Sequence, residues 1–208
     1  MSLSYKTVKQ FADVKFTEQK SKFIGYCRPV CDEKQAIDFI NQIKQKHWDA
    51  KHNVYAYILK DGTARYSDDG EPQSTAGIPV LDIMKNENLC DTCIVVTRYF
   101  GGILLGTGGL VRAYSTAAKL AVNASKVITM VKAVECNLTC DYSMYSKINA
   151  LLLENGCEIT DSIFEEDVFL NFAVCEDSLQ LIKDKITEIT AGRCNISTGN
   201  IRYMEKRG

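Results

Sequence analysis

Between Arg98 and Arg112 the chain reads Arg-Tyr-Phe-Gly-Gly-Ile-Leu-Leu-Gly-Thr-Gly-Gly-Leu-Val-Arg, passing from an apolar strand through five glycines into a helix. Glycine has no Cβ, so it accepts left-handed backbone angles and lets a neighbouring surface come close, at a cost of about 0.5–1 kcal/mol of chain entropy relative to alanine. Five such residues cost about 2.5–5 kcal/mol, a large share of a domain stability of about 5–15 kcal/mol. A chain that keeps them has a geometric use for them: close packing of a helix on a sheet, or main-chain N–H groups held open to a ligand.

The helix expected over 107–126 places Arg112, Thr116, Lys119 and Asn123 along one stripe and Leu110, Ala113, Ala117, Leu120, Ala121 and Ala124 along the opposite one. At its start, unpaired N–H groups and the helix dipole favour an anion by about 0.3–1 kcal/mol, and phosphate is the natural one. Gly101, Gly102, Gly106, Thr107, Gly108 and Gly109 would present the main chain, with Arg98, Arg112, Thr116 and Lys119 adding charge and polar contact. The competing reading makes the glycines packing devices and the polar stripe a solvated face. Two phosphate-binding patterns do not fit: the P-loop needs a lysine followed by serine or threonine, and Gly101-Gly102 lacks the dinucleotide spacing.

A length of 208 residues suits two domains of about 100 each. Nine cysteines do not form a disulfide pattern, because the number is odd, the spacings are irregular and residues 1–22 lack the apolar core of a signal peptide. They are expected as reduced thiols of a cytoplasmic protein. Cys90-Asp91-Thr92-Cys93 has the spacing of half a zinc site, but no second pair accompanies it and only two histidines exist, so no structural metal is expected. No run of about 18 apolar residues is present, which excludes a helical membrane span. Charge is unevenly divided, with 17 basic and 13 acidic residues through Lys126 and 8 against 13 beyond it, or +4 and −5. Such asymmetry orients a protein on a polyanion or draws its halves together.

Alternation predicts strands over 11–16 and 22–29, a helix from the capping box Asp32-Glu33-Lys34-Gln35, a strand over 53–60 turning at Asp61-Gly62 into 64–67, a short helix over 76–85 and a very apolar strand over 90–100. Beyond Lys126 the order is strand 127–140, helix 143–154, strand 157–163, strand 167–175, helix 178–190 and strand 194–203, the ferredoxin-like βαββαβ sequence. The fold class is therefore α+β, with domains over 1–126 and 127–208.

Asp68, Asp69 and Glu71 have two readings. Clustered carboxylates hold a hard cation or supply a general base, whereas Asp69-Gly70 and Glu71-Pro72 are turn formers. His52 is near enough in sequence to the 53–60 strand to face the same region, but no nucleophile is visibly paired with it. His47 falls on the apolar face of Ala36, Ile40 and Ile43 and reads as a packed helix-end residue.

Gly77, Val80-Leu81, Met84, Leu89, Val95-Val96, Arg98-Tyr99-Phe100-Gly101-Gly102 and Gly106 sit at the spacing of the IMPACT (YigZ-like) family signature, and Tyr66-Ser67-Asp68-Asp69-Gly70-Glu71-Pro72 resembles that family too. The resemblance implies a ribosomal-protein-S5-domain-2-like N-terminal domain and a ferredoxin-like C-terminal domain similar to the last domain of elongation factor G. It also implies kinship with eukaryotic translation regulators that dampen the amino-acid-starvation kinase by competing for its scaffold through an extra N-terminal domain, for which 208 residues leave no room.

The resulting expectation is a non-enzymatic, translation-associated protein that binds RNA or the ribosome through the glycine turn, Arg98, Arg112 and Lys119, with no cofactor, no metal and no membrane. One alternative is an enzyme acting on a phosphorylated small molecule or nucleotide, with a metal on Asp68, Asp69 or Glu71. The other is a regulatory module that binds a protein partner through its acidic C-terminal half.

Overall fold

In the computed structural model, which describes residues 4–206, the elements follow in the order β1 (Ser4–Val8), β2 (Ala12–Glu18), β3 (Ser21–Pro29), α1 (Glu33–Lys46), β4 (His52–Ile58), β5 (Ala64–Ser67), α2 (Gly77–Asn86), β6 (Thr92–Tyr99), α3 (Gly106–Ala124), β7 (Val127–Cys140), α4 (Tyr142–Glu154), β8 (Glu158–Phe164), β9 (Val168–Cys175), α5 (Leu179–Thr190) and β10 (Ser197–Glu205). They form two units. One holds Tyr5–Ile128, and the other runs on from Thr129 and includes Ser4.

In the first unit an antiparallel sheet has the order β2-β3-β6-β4-β5. Its central strand β6 is buried from Thr92 through Arg98 because helices cover both faces of the sheet. That is why its apolar run is continuous rather than alternating. Phe23, Val54, Ile94 and Val96 pack against α2 and α3, while Ile24, Tyr26, Tyr57, Cys93 and Val95 pack against α1. Gly25 lets α3 come close, since a Cβ there would lie 2.6 Å from the carbonyl oxygen of Ala117. Asp32 caps α1 by accepting from the Gln35 N–H at 2.8 Å. β1, whose residues carry no strand signal of their own, is tied down where the Cys90 N–H donates to the Lys6 carbonyl at 2.9 Å.

In the second unit β10 pairs with β7, β7 with β9 and β9 with β8, these three pairings antiparallel. Helices α4 and α5 bury Ile148, Leu152, Ile182 and Ile186 against Leu138, Leu170 and Phe172. The βαββαβ order is as the sequence indicated. The final strand starts at Ser197 rather than Cys194, whose side chain instead joins the core.

All nine cysteines are free thiols: Cys31 is exposed, Cys90 and Cys175 are half-buried, and the other six are buried. Among the described residues no helix is long and apolar enough to cross a membrane.

Candidate functional site

Antiparallel pairing sets Lys22 opposite Tyr99 and His52 opposite Arg98. The turn before β3, the start of β4, the end of β5 and the end of β6 therefore share one end of the sheet. There the end of β6, which leads into the glycine segment 100–106, meets the carboxylate loop 68–71 through Arg98 and Glu71, 27 residues apart in sequence.

Arg98 does not face outward, as the sequence reading expected of a phosphate contact. It is 5 % exposed, and its Nη1 donates to Glu71 Oε1 at 2.7 Å. Tyr114 Oη donates to the same oxygen at 2.7 Å, and His52 Nε2 lies 3.7 Å from it. The guanidinium sits 5.6 Å from the ring centres of both Phe23 and Phe100, while its Nε has no hydrogen-bond partner among the described residues. The register with β3 and β4 directs this side chain inward, toward α3 and the carboxylate loop, where it bonds Glu71 and backs the Phe100 ring. Burial and the neighbouring Glu71 carboxylate push the Tyr114 hydroxyl pKa well up, so it stays a donor.

Each carboxylate of the loop has its own internal partner. Asp68 accepts from the N–H groups of Ser74, Ala76 and Gly77 at 2.9, 3.0 and 2.8 Å and so caps α2. Asp69 accepts from Lys44 Nζ at 2.8 Å and from the Asn53 N–H at 2.6 Å, and its carbonyl accepts from His52 Nδ1 at 2.8 Å. Glu71 faces Arg98. Three side chains aimed at three different partners do not converge on a cation, and no group of three or more potential ligands does so among the described residues. The four side chains of Asp68, Asp69, Glu71 and His52 are thus each held by internal partners, the arrangement of the turn reading of this loop.

The glycine corner itself is open. Gly101 rests on the β2–β3 turn so closely that a Cβ would lie 2.0 Å from the Lys20 carbonyl carbon. Among the described residues no side chain caps the start of helix α3. Its N-cap, Leu105, has right-handed angles and Gly106 has φ +68°, an alternation that turns consecutive N–H groups to one side as an anion-accepting concavity. Gly102, Gly106, Thr107 and Gly108 are exposed, and Gly109 is half-buried against Leu105. Exposed Arg112 bends back over Gly108, with Nη1 3.8 Å from where a Cβ would stand, and it has no ion-pair partner among the described residues. Thr116 is exposed further along the same stripe, whereas Lys119 is paired with Glu87 and is thereby drawn toward α2.

Two basic residues that the sequence reading passed over complete the corner. Lys20 is exposed in the turn under Gly101, and Lys22 lies 5.9 Å above the Tyr99 ring. Gln19-Lys20 has no glycine, asparagine or aspartate to mark a hairpin, so no local signal places either lysine at this corner.

The Impact N-terminal domain pattern matches residues 19–122, half of the chain and every residue of this corner. The chain belongs to the IMPACT family. A second match, to a domain of unknown function (DUF1949), covers residues 138–193. The chain is 38 % identical to the IMPACT family member YvyE of Bacillus subtilis, across 98 % of this chain and 94 % of that protein. It is 32 % identical to the family member YigZ of Escherichia coli, across 89 % and 90 %. Human Protein IMPACT is 33 % identical over 45 % of this chain and 31 % of its own length. A solved structure described as a hypothetical protein superposes with a TM-score of 0.62 at 28 % identity, covering 96 % of this chain and 99 % of that one. The IMPACT-family architecture is thus a mixed α+β chain of two domains.

Proposed function

We propose that this IMPACT-family protein binds RNA, free or on the ribosome, through the glycine-lined start of α3, without catalysing a reaction, and modulates translation or a stress response by doing so. The observation that carries the reading is the solvent-open concavity at Leu105 and Gly106, without a side-chain cap among the described residues, with Arg112, unpaired among those residues, above Gly108 and Lys20 under Gly101. Main-chain N–H groups meet phosphate oxygens without regard to base identity, and the flanking cations add charge-assisted contacts. The +4 balance of residues 1–126 supplies long-range attraction to a polyanion.

The test is fluorescence anisotropy of a labelled RNA across a salt series. Each phosphate contact to a single strand contributes about −0.7 to the slope of log affinity against log salt. Arg112→Ala should weaken binding at low salt and make the slope shallower by about that amount. A flat salt response, or an Arg112→Ala curve that overlays the parent, would overturn the proposal.

A further inference from the structure

The chain has one tryptophan, Trp48, and it is 84 % exposed. An indole left in water forgoes the largest apolar burial any side chain offers, so a folded chain that holds it out needs a use for it.

The segment that carries Trp48 is held firmly. Tyr99 Oη donates to Asp49 Oδ1 at 3.0 Å and therefore accepts from His47 Nδ1 at 2.8 Å. His47 Nε2 is then left to accept from Tyr26 Oη at 2.5 Å. The His47 carbonyl accepts from the Ala50 N–H at 3.0 Å and from Asn53 Nδ2 at 3.3 Å. Both neighbours of Trp48 are thus fixed to Tyr99 while the indole itself stands free. A partner that docks on it orders no loop and loses little entropy in doing so.

The surroundings select the partner. Lys46 and Lys51 flank Trp48 and are exposed, and Lys22 lies over the Tyr99 ring. Of the nearby acids, Asp49 is bonded to Tyr99 and Asp69 to Lys44. Tyr99 leads directly into Phe100, whose ring is backed by Arg98 and is 49 % exposed, and then into the exposed glycines before α3. Two exposed aromatic groups among cations at one end of a sheet suit a strand that offers bare base faces and phosphates together.

We propose that Trp48 is a stacking platform for an unpaired base, so that the RNA bound at this end of the sheet is single-stranded where it touches the protein. A duplex keeps its base faces stacked on each other and has none to offer the indole. This proposal rests on the RNA reading above.

Because Trp48 is the sole tryptophan, its intrinsic fluorescence reports the contact directly. The full-length protein is titrated with a 12-nucleotide single-stranded RNA, with the same sequence as a duplex, with inorganic polyphosphate and with poly-glutamate. The single strand should quench the emission in step with its anisotropy, whereas duplex and polyphosphate should leave it nearly unchanged. Trp48→Ala should weaken single-strand binding about 5- to 150-fold and leave duplex binding alone, with Trp48→Phe recovering part of the loss. RNA binding by anisotropy with no quench and no effect of Trp48→Ala would overturn the stacking and leave the RNA reading standing. No binding of any RNA would overturn both. Quenching by poly-glutamate alone would overturn the base contact in favour of an acidic protein partner.

Discussion

His47 shows how one side chain can hold a segment of surface in place. Its face on α1 was legible in the sequence, since Ala36, Ile40, Ile43 and His47 recur at helical spacing. Its hydrogen bonds were not, because Tyr26 and Tyr99 come from strands 21 and 52 residues away. Burial, and secondarily the charge of Lys46, lowers the His47 pKa below its usual value of 6.5. A second proton on Nε2 would also face the Tyr26 hydroxyl hydrogen. The unfolded chain therefore takes up a proton before the folded one does, and stability falls as pH drops through about 6.5, levelling once the folded-state pKa is passed. In His47→Gln this loss should shrink, as measured by urea unfolding from about pH 7.5 to 5.5. Parallel stability curves for the two proteins would exclude the role. Arg98 teaches the converse lesson: its charge was legible and its direction was not, because inward aim follows from strand register rather than from residue type.

At the scale of elements, what was local was legible. The capping box before α1, the Asp61-Gly62 turn and the βαββαβ order of the second unit all follow from signals within a few residues of each other. Strand β1 escaped notice because its five residues neither alternate cleanly nor run apolar. The glycines of 101–109 were visible as a group, but their separate duties depend on which surface each one touches. Gly101 is there for contact, with a Cβ position 2.0 Å from the Lys20 backbone. Gly106 is there for conformation, at φ +68° with nothing within 4 Å of a Cβ. Gly106→Ala should fold with a penalty of about 1–2 kcal/mol, the cost of left-handed angles for an L-residue. Gly101→Ala must push two backbones apart and should cost more, at or beyond the about 1–3 kcal/mol of ordinary overpacking. Thermal unfolding of the two variants side by side checks the order, and equal costs would show that the close approach at Gly101 relaxes freely.

For the whole molecule, the charge division seen in the sequence is the property that outlasts any local detail. The second unit is acidic, and Glu165 and Glu166 stand exposed in the turn between β8 and β9. Net charge is −1, so Glu165→Gln with Glu166→Gln makes it +1. Affinity for RNA should rise severalfold near 0.01 M salt, where the screening length is about 30 Å, and the gain should vanish near 1 M, where it is about 3 Å. An unchanged affinity at low salt would mean that the acidic unit exerts no long-range field on the partner. The thiols have a practical consequence. Cys31 is exposed just ahead of α1 and Trp48 lies just beyond its end, while burial pushes the half-buried Cys90 thiol up to about 11. As the one exposed thiol of the nine, Cys31 is where a maleimide dye couples first, across a helix of 14 residues, or about 21 Å at 1.5 Å per residue, from the native indole. The protein thus carries a donor and an attachment point for an acceptor, a spectroscopic ruler laid along α1, with the dye at the end of the sheet remote from the open corner.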